Sequence, residues 1–563
     1  MRIIDYFNYV ATFIYAVIVI VAIMGKKKNS KAFVSDKKAN ALFLLILIIA
    51  SVLRLFQLGS VPLGLQQDEA SIGYEAYILA NYGIDRNGYP WPIYPITWGC
   101  GGGSPLLIYL NVLSIRLFGT GIVKLRLIPA ICGILTVLFF YLILRIAFEK
   151  KSYRNELALI GAGFLAICPW HIILSRWSLD CNIMPFNMIF AVYLFMLANK
   201  KKSTILYALS SAAFAICMYS YGAATIVIPI FLVFISIYCI CKKEITWGQL
   251  AISVGAFVIV FAPLLWFYMV NYCGLPEFFS RSLTVNRFTS ARTGEALIAF
   301  SDLPKTLLSN LRSVMLSVSV GDEQHTLAHF YPGYATLYKF TFPVTLLGLI
   351  LAFKDRFRDL SDAVFGFLVL SNIILSMVIV PDTNRLVLIY VPFIYFFIKG
   401  MGFIMTKSGK LLICLLGLLL LGAMSFAKDY FGDYNVYATS IFMPGYGDAI
   451  KRAYELTGDD NMIYSTYDGL SSPFMLALYY TEYDPHKFVS SVEYRNELDE
   501  FRVADAFGNF DFRLPENITD TSYYNDVFVL SSNDLAMIGE DTSYTVEDYE
   551  GYHVVYKTAA FYK

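Results

Sequence analysis

The stretch Gln66-Gln67-Asp68-Glu69-Ala70-Ser71-Ile72-Gly73-Tyr74-Glu75-Ala76-Tyr77 follows an apolar segment long enough to cross a bilayer and opens on two adjacent acids. Ile72, Ala76, Leu79 and Ala80 recur at helical spacing and Gly83 stands at a natural C-cap position, which predicts a short amphipathic helix over about residues 69–81. Asp68 then lies at the helix N-terminus, where the dipole and free N–H groups favour a carboxylate. Two readings fit these residues alone: an acid capping an interfacial helix, or a carboxylate held ready at the membrane face.

The composition places the chain in a lipid bilayer. Hydrophobic residues make up 57% of it, aromatic residues 16% and charged residues only 15%, with a mean hydropathy of +0.57; soluble domains seldom reach such values. The net charge of +1 hides an asymmetry. Residues 428–563 hold 24 acidic against nine basic residues, and the remainder holds 35 basic against 19 acidic. A basic membrane domain over 1–427 is therefore expected to join an acidic soluble domain over 428–563. The nine cysteines are scattered, with no CxxC and no Cys/His cluster, so neither a disulfide framework nor a structural zinc site is indicated.

Hydropathy and lysine distribution together set the expected topology. Apolar stretches begin at Tyr9, Ala39, Leu127, Leu157, Ile183, Ile205, Ala223, Gln249, Tyr334, Ala363, Leu386 and Leu411, about twelve spans of a mainly α-helical polytopic protein. The first reads as a retained helix, since no usual cleavage site follows it. Lys26–Lys28, Lys150–Lys151, Lys200–Lys202 and Lys242–Lys243 then all fall on one side, which the positive-inside rule makes cytoplasmic. This register holds only if Leu106–Phe118 lies in the interface rather than spanning. Residues 59–124 then form a long external loop, and the acidic C-terminal part is external too. That part alternates strand-like runs (Met462–Tyr464, Val527–Leu530, His553–Tyr556) with a helical segment near Asp448–Leu456, which predicts a small α/β or α+β domain.

The ionisable groups decide the chemistry. Span interiors are nearly free of them; Arg54, Arg145 and Lys339 lie near span ends, where long side chains can snorkel. The external segments instead gather Asp68, Glu69, Arg126, Arg176, Asp180, Arg281, Arg287, Asp322, Glu323, His325, Asp382 and Arg385. Carboxylates with several arginines at one membrane face suit chemistry on a lipid-linked phosphate, because arginine clamps phosphate in bidentate fashion and a carboxylate can take a proton from an attacking hydroxyl. Other roles fit the same residue types: Asp180 as an N-cap, Arg281 and Arg292 as headgroup anchors, His325 and His329 as metal ligands or solvated loop residues. A transporter or flippase of lipid-linked precursors is the alternative from another class, and it would call for charges near the midplane.

Several motifs, taken in order, resemble a known family. Gln67-Asp68-Glu69-Ala70 through Ala80-Asn81-Tyr82-Gly83-Ile84-Asp85-Arg86-Asn87-Gly88-Tyr89-Pro90 resembles the first external loop of polyprenyl-phosphate-sugar-dependent glycosyltransferases of the GT-C superfamily. The protein O-mannosyltransferase and lipid A aminoarabinose transferase group is the nearest. Ser104-Pro105-Leu106-Leu107-Ile108-Tyr109, Leu125-Arg126-Leu127-Ile128-Pro129, Ser175-Arg176-Trp177-Ser178-Leu179-Asp180 and Asn384-Arg385-Leu386 resemble later motifs of that family, so the likeness runs over about residues 40–400. Two departures stand out: Gly103-Ser104 precede Pro105 where relatives often have Lys, and Thr284 precedes Arg287-Phe288 where they often have His.

The resemblance implies an inverting membrane glycosyltransferase with its active site on the extracytoplasmic side. Its donor would be a polyprenyl-phosphate-linked sugar and its acceptor a protein, a glycolipid or a wall polymer; nucleic acid is not an expected partner. Asp68 would be the catalytic base and Asp180 a second catalytic acid group. Glu69, Arg126, Arg176, Arg287, His325 and Arg385 would bind substrate. No cofactor is implied with certainty, and a divalent metal is left open.

Overall fold

The computed structural model describes residues 2–26, 34–290, 303–321, 327–539 and 541–561. His325, Asp322, Glu323 and Arg292, singled out above, lie outside these described residues. In chain order the first helices are α1 (Ile3–Met24), α2 (Asp36–Leu55), α3 (Gln67–Asn81), α4 (Pro105–Phe118), α5 (Ile122–Ala147), α6 (Arg154–Ile167) and α7 (Pro169–Leu174). Then come α8 (Met184–Lys201), α9 (Thr204–Cys217), α10 (Ala224–Cys241), α11 (Trp247–Tyr272), α12 (Leu303–Ser319), α13 (Phe342–Lys354) and α14 (Leu360–Ser376). The last are α15 (Tyr390–Met405), α16 (Gly409–Gly432), α17 (Tyr434–Phe442), α18 (Tyr446–Thr457), α19 (Pro473–Tyr480), α20 (Pro485–Ser491) and α21 (Thr558–Phe561).

Every one of the twelve apolar stretches contains a helix. Among the described residues, seven helical segments are long and apolar enough to span by themselves: α1, α2, α5, Asp180–Lys201, α10, α11 and α16. The others are shorter, and one is interrupted: Cys168 and Pro169 part α6 from α7, because proline has no N–H to continue the ladder. The protein is thus a mainly α-helical, multi-pass membrane protein with a small C-terminal sheet. At 14 residues α4 is about 21 Å long, short of the roughly 30 Å hydrocarbon core.

By packing, the chain divides into two units. The first comprises residues 1–58, 129–262 and 294–434, the second 59–128, 263–293 and 435–563. Two of the divisions fall at prolines inside helices, Pro129 of α5 and Pro263 of α11.

In the first unit α8 packs on α9, α10 on α14, α2 on α6, and α13 on α15. Two glycines make the α13–α15 crossing tight. A Cβ on Gly348 would stand 1.8 Å from the Phe396 carbonyl oxygen, and one on Gly400 2.2 Å from that of Val344, the small-residue approach by which helices associate in lipid. Two arginines close the ends of α2 and α6. Arg54, in the last turn of α2, donates to the Leu165 and Ala166 carbonyls at 3.2 and 3.1 Å, where Pro169 leaves α6 without its next donors, and meets His171 Nδ1 at 2.6 Å. Arg176 in turn donates to the Leu53 and Gln57 carbonyls at the end of α2, both at 3.0 Å. Arg54 has no exposed surface, so the snorkelling expected of it does not occur: the carbonyls of a broken helix hold its charge inside.

In the second unit α3 packs against α4 and α19. Gly73 permits this, since a Cβ there would stand 2.5 Å from the Tyr479 ring. α3 is also less amphipathic than expected. Glu69 to Ala76, Ile78 and Leu79 are all buried, because a second packing partner covers the polar face that the sequence pattern left for solvent. A hairpin of β1 (Phe278–Phe279) and β2 (Thr284–Val285) is antiparallel. Seven further strands form one mixed sheet: β3 (Ile463–Ser465), β4 (Glu493–Tyr494), β5 (Ala504–Phe507), β6 (Phe510–Asp511), β7 (Val527–Ser531), β8 (Tyr544–Tyr549) and β9 (Tyr552–Lys557). Their order is β4-β5-β6-β3-β7-β9-β8, with β3 parallel to both β6 and β7 and the other pairs antiparallel. The strands anticipated at Met462, Val527 and His553 are β3, β7 and β9.

The glycine crossing sets an expectation for stability. Gly400→Val forces α13 and α15 apart and should lower the stability of the purified protein by about 1–3 kcal/mol, read as a lower melting temperature in detergent. Gly409→Ala, whose added Cβ meets nothing within 4 Å, should leave it unchanged. Equal melting of the two variants would refute the tight crossing.

Candidate active site

The first turn of α3 is built from three side chains with different roles. Gln66 is the N-cap: its Oε1 accepts from the backbone N–H of Asp68 at 2.5 Å and of Glu69 at 3.4 Å. Its amide Nε2 donates to Asp68 Oδ2 at 3.2 Å, so Gln66 also steadies the carboxylate. The capping that an acid was expected to perform therefore falls to a neutral amide. Asp68 is half-buried, in the turn where the helix dipole favours its charge.

Glu69 points inward and is completely buried, as is Arg126 from the first turns of α5. The two form a bidentate pair, Nε to Oε1 and Nη2 to Oε2, each 2.8 Å. The remaining Arg126 donors reach the Pro62 and Gly64 carbonyls at 2.6 Å, and its guanidinium lies 5.8 Å from the Phe442 ring. The carbonyls belong to the segment entering α3, so one guanidinium fixes both the entry and the first turn of that helix. The sequence reading assigned both residues to substrate; the structure places them against each other in the interior.

A second buried pair braces the same helix farther along. Arg86 is ion-paired to Glu75 and donates to the Ser71 hydroxyl and carbonyl and to the Thr97 carbonyl. Asp85 beside it accepts from the backbone N–H groups of Asn87 and Tyr89, both at 2.9 Å. Burial, and then the nearby Glu75 charge, pushes the Asp85 carboxyl up to about 7 despite those donors.

Arg287, the other expected site residue of this second unit, is exposed. Its backbone N–H donates to Glu277 at 2.8 Å and its Nη2 to the Leu275 carbonyl at 2.9 Å. Thr284, standing where relatives often have His, donates its hydroxyl to the Pro90 carbonyl and so docks the hairpin on the loop after α3.

In the first unit Asp180 opens a short 3₁₀ turn before α8 and accepts from the Cys181 N–H at 2.8 Å. Arg385 is held in its turn by Asp382, with Nε 3.3 Å from Oδ2, and by the Val380 carbonyl at 2.7 Å. Arg176 has no exposed surface and lies over the rings of Tyr430 and Phe431 at 5.7 and 5.0 Å. His329 is buried with its Nε2 2.6 Å from Asn182 Oδ1. Among the described residues no group of three or more His, Cys, Asp or Glu side chains could hold a metal ion.

The sequence reading missed three features. Gln66 stands one residue outside the acid pair, and its capping role needs the turn geometry. The Glu75–Arg86 pair crosses a loop, so no helical spacing announces it. Tyr494 and Arg502, which close a pocket against Arg86, come from a distant part of the chain.

Comparison with known proteins gives the fold a context. Residues 103–267 match the model of the dolichyl-phosphate-mannose-protein mannosyltransferase family. ArnT from Cupriavidus metallidurans in its apo state is similar in structure, with a TM-score of 0.55 at 14% identity, covering 92% of this chain and 97% of that one. The same protein bound to undecaprenyl phosphate gives 0.54 at 13% identity, covering 92% and 98%. No curated protein matches. The GT-C resemblance drawn from the sequence is thereby borne out.

The buried pair yields a direct test of its structural role. Arg126→Met strands the Glu69 charge and should cost about 3–5 kcal/mol of stability, measured by thermal unfolding of the purified chain. Arg126→Met with Glu69→Gln removes both charges and should recover part of the loss. A single Arg126→Met variant as stable as the parent would contradict the arrangement.

Proposed function

We infer that this chain, a multi-pass membrane glycosyltransferase of the GT-C type, moves a sugar from a polyprenyl-phosphate donor to an acceptor hydroxyl on the extracytoplasmic side. The observation that carries this reading is the first turn of α3. There a half-buried Asp68 is relieved of capping by Gln66 and backed by a neutralised Glu69–Arg126 pair. The undecaprenyl phosphate bound by the similar ArnT supports the donor class. The one-sided lysine clusters support the side of the membrane.

The chemistry follows from these groups. Asp68 takes the proton of the acceptor hydroxyl, the oxygen bonds to the anomeric carbon, and the bond from that carbon to the phosphate oxygen breaks with inversion. Polyprenyl phosphate leaves as a stable anion, so the step needs charge neutralisation more than a strong general acid. Arg385, paired with Asp382, keeps its assignment to substrate, and Asp180 keeps the role of a second acid group. Arg126 and Arg176 become positioning residues, since their donors already serve Glu69 and backbone carbonyls. The transporter alternative gains no support. The buried Arg54 in the bundle donates to helix-end carbonyls and meets His171.

Asp68→Asn keeps the size and hydrogen bonding of the side chain while removing the base. Consumption of synthetic polyprenyl-phosphate sugars in membranes holding the full chain, followed by mass spectrometry, should fall about 10²–10⁴-fold. Protein level and polyprenyl-phosphate binding should be kept. Turnover within a few-fold of the parent would remove the base from this loop.

A further inference from the structure

The second unit holds a cavity of about 250 Å³ whose lining includes Arg86, Asn87, Tyr89, Arg287, Tyr494 and Arg502. Among the described residues no carboxylate lines it, although three arginines do. Arg86 forms the floor, and its charge is already matched by Glu75. The other two are not so matched by any ion pair found among the described residues. Arg502 donates from Nη2 to Asn87 Oδ1 at 3.0 Å and lies 4.9 Å from the Tyr494 ring, and its Nε is buried with no hydrogen-bond partner. Arg287 is exposed and gives one donor to a backbone carbonyl. Glu277 accepts from its backbone N–H and stands outside the lining.

A half-enclosed site with two such guanidinium groups favours a carboxylate or a phosphate, which the planar fork can meet with paired hydrogen bonds. The remaining wall is Tyr89 and Tyr494 with Ile96, Val489 and Val492, a surface that suits the C–H face of a sugar ring with its hydroxyls turned to polar neighbours. The volume lies below the 300–1,000 Å³ of drug-sized sites, which leaves room for about one monosaccharide. The floor also connects to the candidate base. Arg86 bonds Ser71 and Glu75, both on α3, and Ser71 lies one turn beyond Asp68.

We propose that this pocket binds an acidic sugar unit, carboxylated or phosphorylated, of the acceptor, so that the acceptor is an anionic glycan. The word acceptor rests on the glycosyltransferase reading; the binding chemistry does not. The test titrates the full chain in nanodiscs with methyl β-glucuronide, glucose 6-phosphate, methyl β-glucoside and inorganic phosphate, read by ligand-observed NMR. One or both acidic sugars should bind at least ten-fold more tightly than the neutral glucoside and than inorganic phosphate, and which one binds identifies the acidic group. Arg502→Gln should weaken that binding at least ten-fold, and raised salt should weaken it in the parent. Arg287→Gln, at an exposed position, should weaken it several-fold even if Arg502→Gln fails to fold. Polyprenyl-phosphate binding should be unaffected in either variant. Neutral and acidic sugars binding alike, phosphate binding as well as the sugar phosphate, or the Arg287 variant binding like the parent would each overturn the proposal. Parent membranes that turned over none of the polyprenyl-phosphate sugars would sink the transferase reading and leave this binding result standing.

Discussion

The bidentate pair between Glu69 and Arg126 is the constraint on which the candidate site depends. Taking both charges out of water is costly, and their mutual attraction offsets this only when the geometry is close and every remaining donor is used. Here the remaining donors reach two carbonyls of the segment leading into α3. The pair therefore does more than satisfy itself, since it ties the first turn of one helix, the chain entering it and the start of α5 into one rigid node. Asp68 precedes Glu69 by one residue, so its carboxylate inherits a fixed position without being part of the pair. A base that acts by positioning needs this kind of support, because a helix N-terminus favours the charged form of an acid and so lowers its strength as a base.

Burial sorts the arginines, which look alike as letters. Arg54, Arg126 and Arg176 have no exposed surface and spend their donors on helix ends and one buried acid. Arg385 is mostly buried beside Asp382, whereas Arg287 and Arg502 line an open pocket. The same guanidinium fork that clamps phosphate also clamps a row of backbone carbonyls, and a proline break such as that at Pro169 creates such a row. Assigning a charged residue to substrate because it lies at a membrane face thus overlooks the needs of broken helices.

Much of the architecture was legible because hydropathy acts over whole segments. The apolar stretches, the switch to an acidic C-terminal part and the strands at Met462, Val527 and His553 all reflect averages over several residues. The place of Asp68 in the first turn of α3 was legible for a local reason, the onset of the helical pattern. What escaped depends on the third dimension. The polar face of α3 is covered by α19, about 400 residues later, so the burial of Glu69, expected to bind substrate, and of Glu75 was not legible. Arg502 meets Asn87 across a comparable separation, and no spacing rule connects them.

Asp68 is the proposed base of a sugar transfer from a lipid phosphate. A cryo-electron microscopy structure of the full chain with a non-hydrolysable polyprenyl-phosphate sugar tests it most directly. The anomeric carbon is expected beside Asp68, with space for an acceptor oxygen about 3 Å from the carboxylate and on the side of the ring away from the phosphate. A sugar bound out of reach of Asp68, with another carboxylate facing its anomeric carbon, would contradict it.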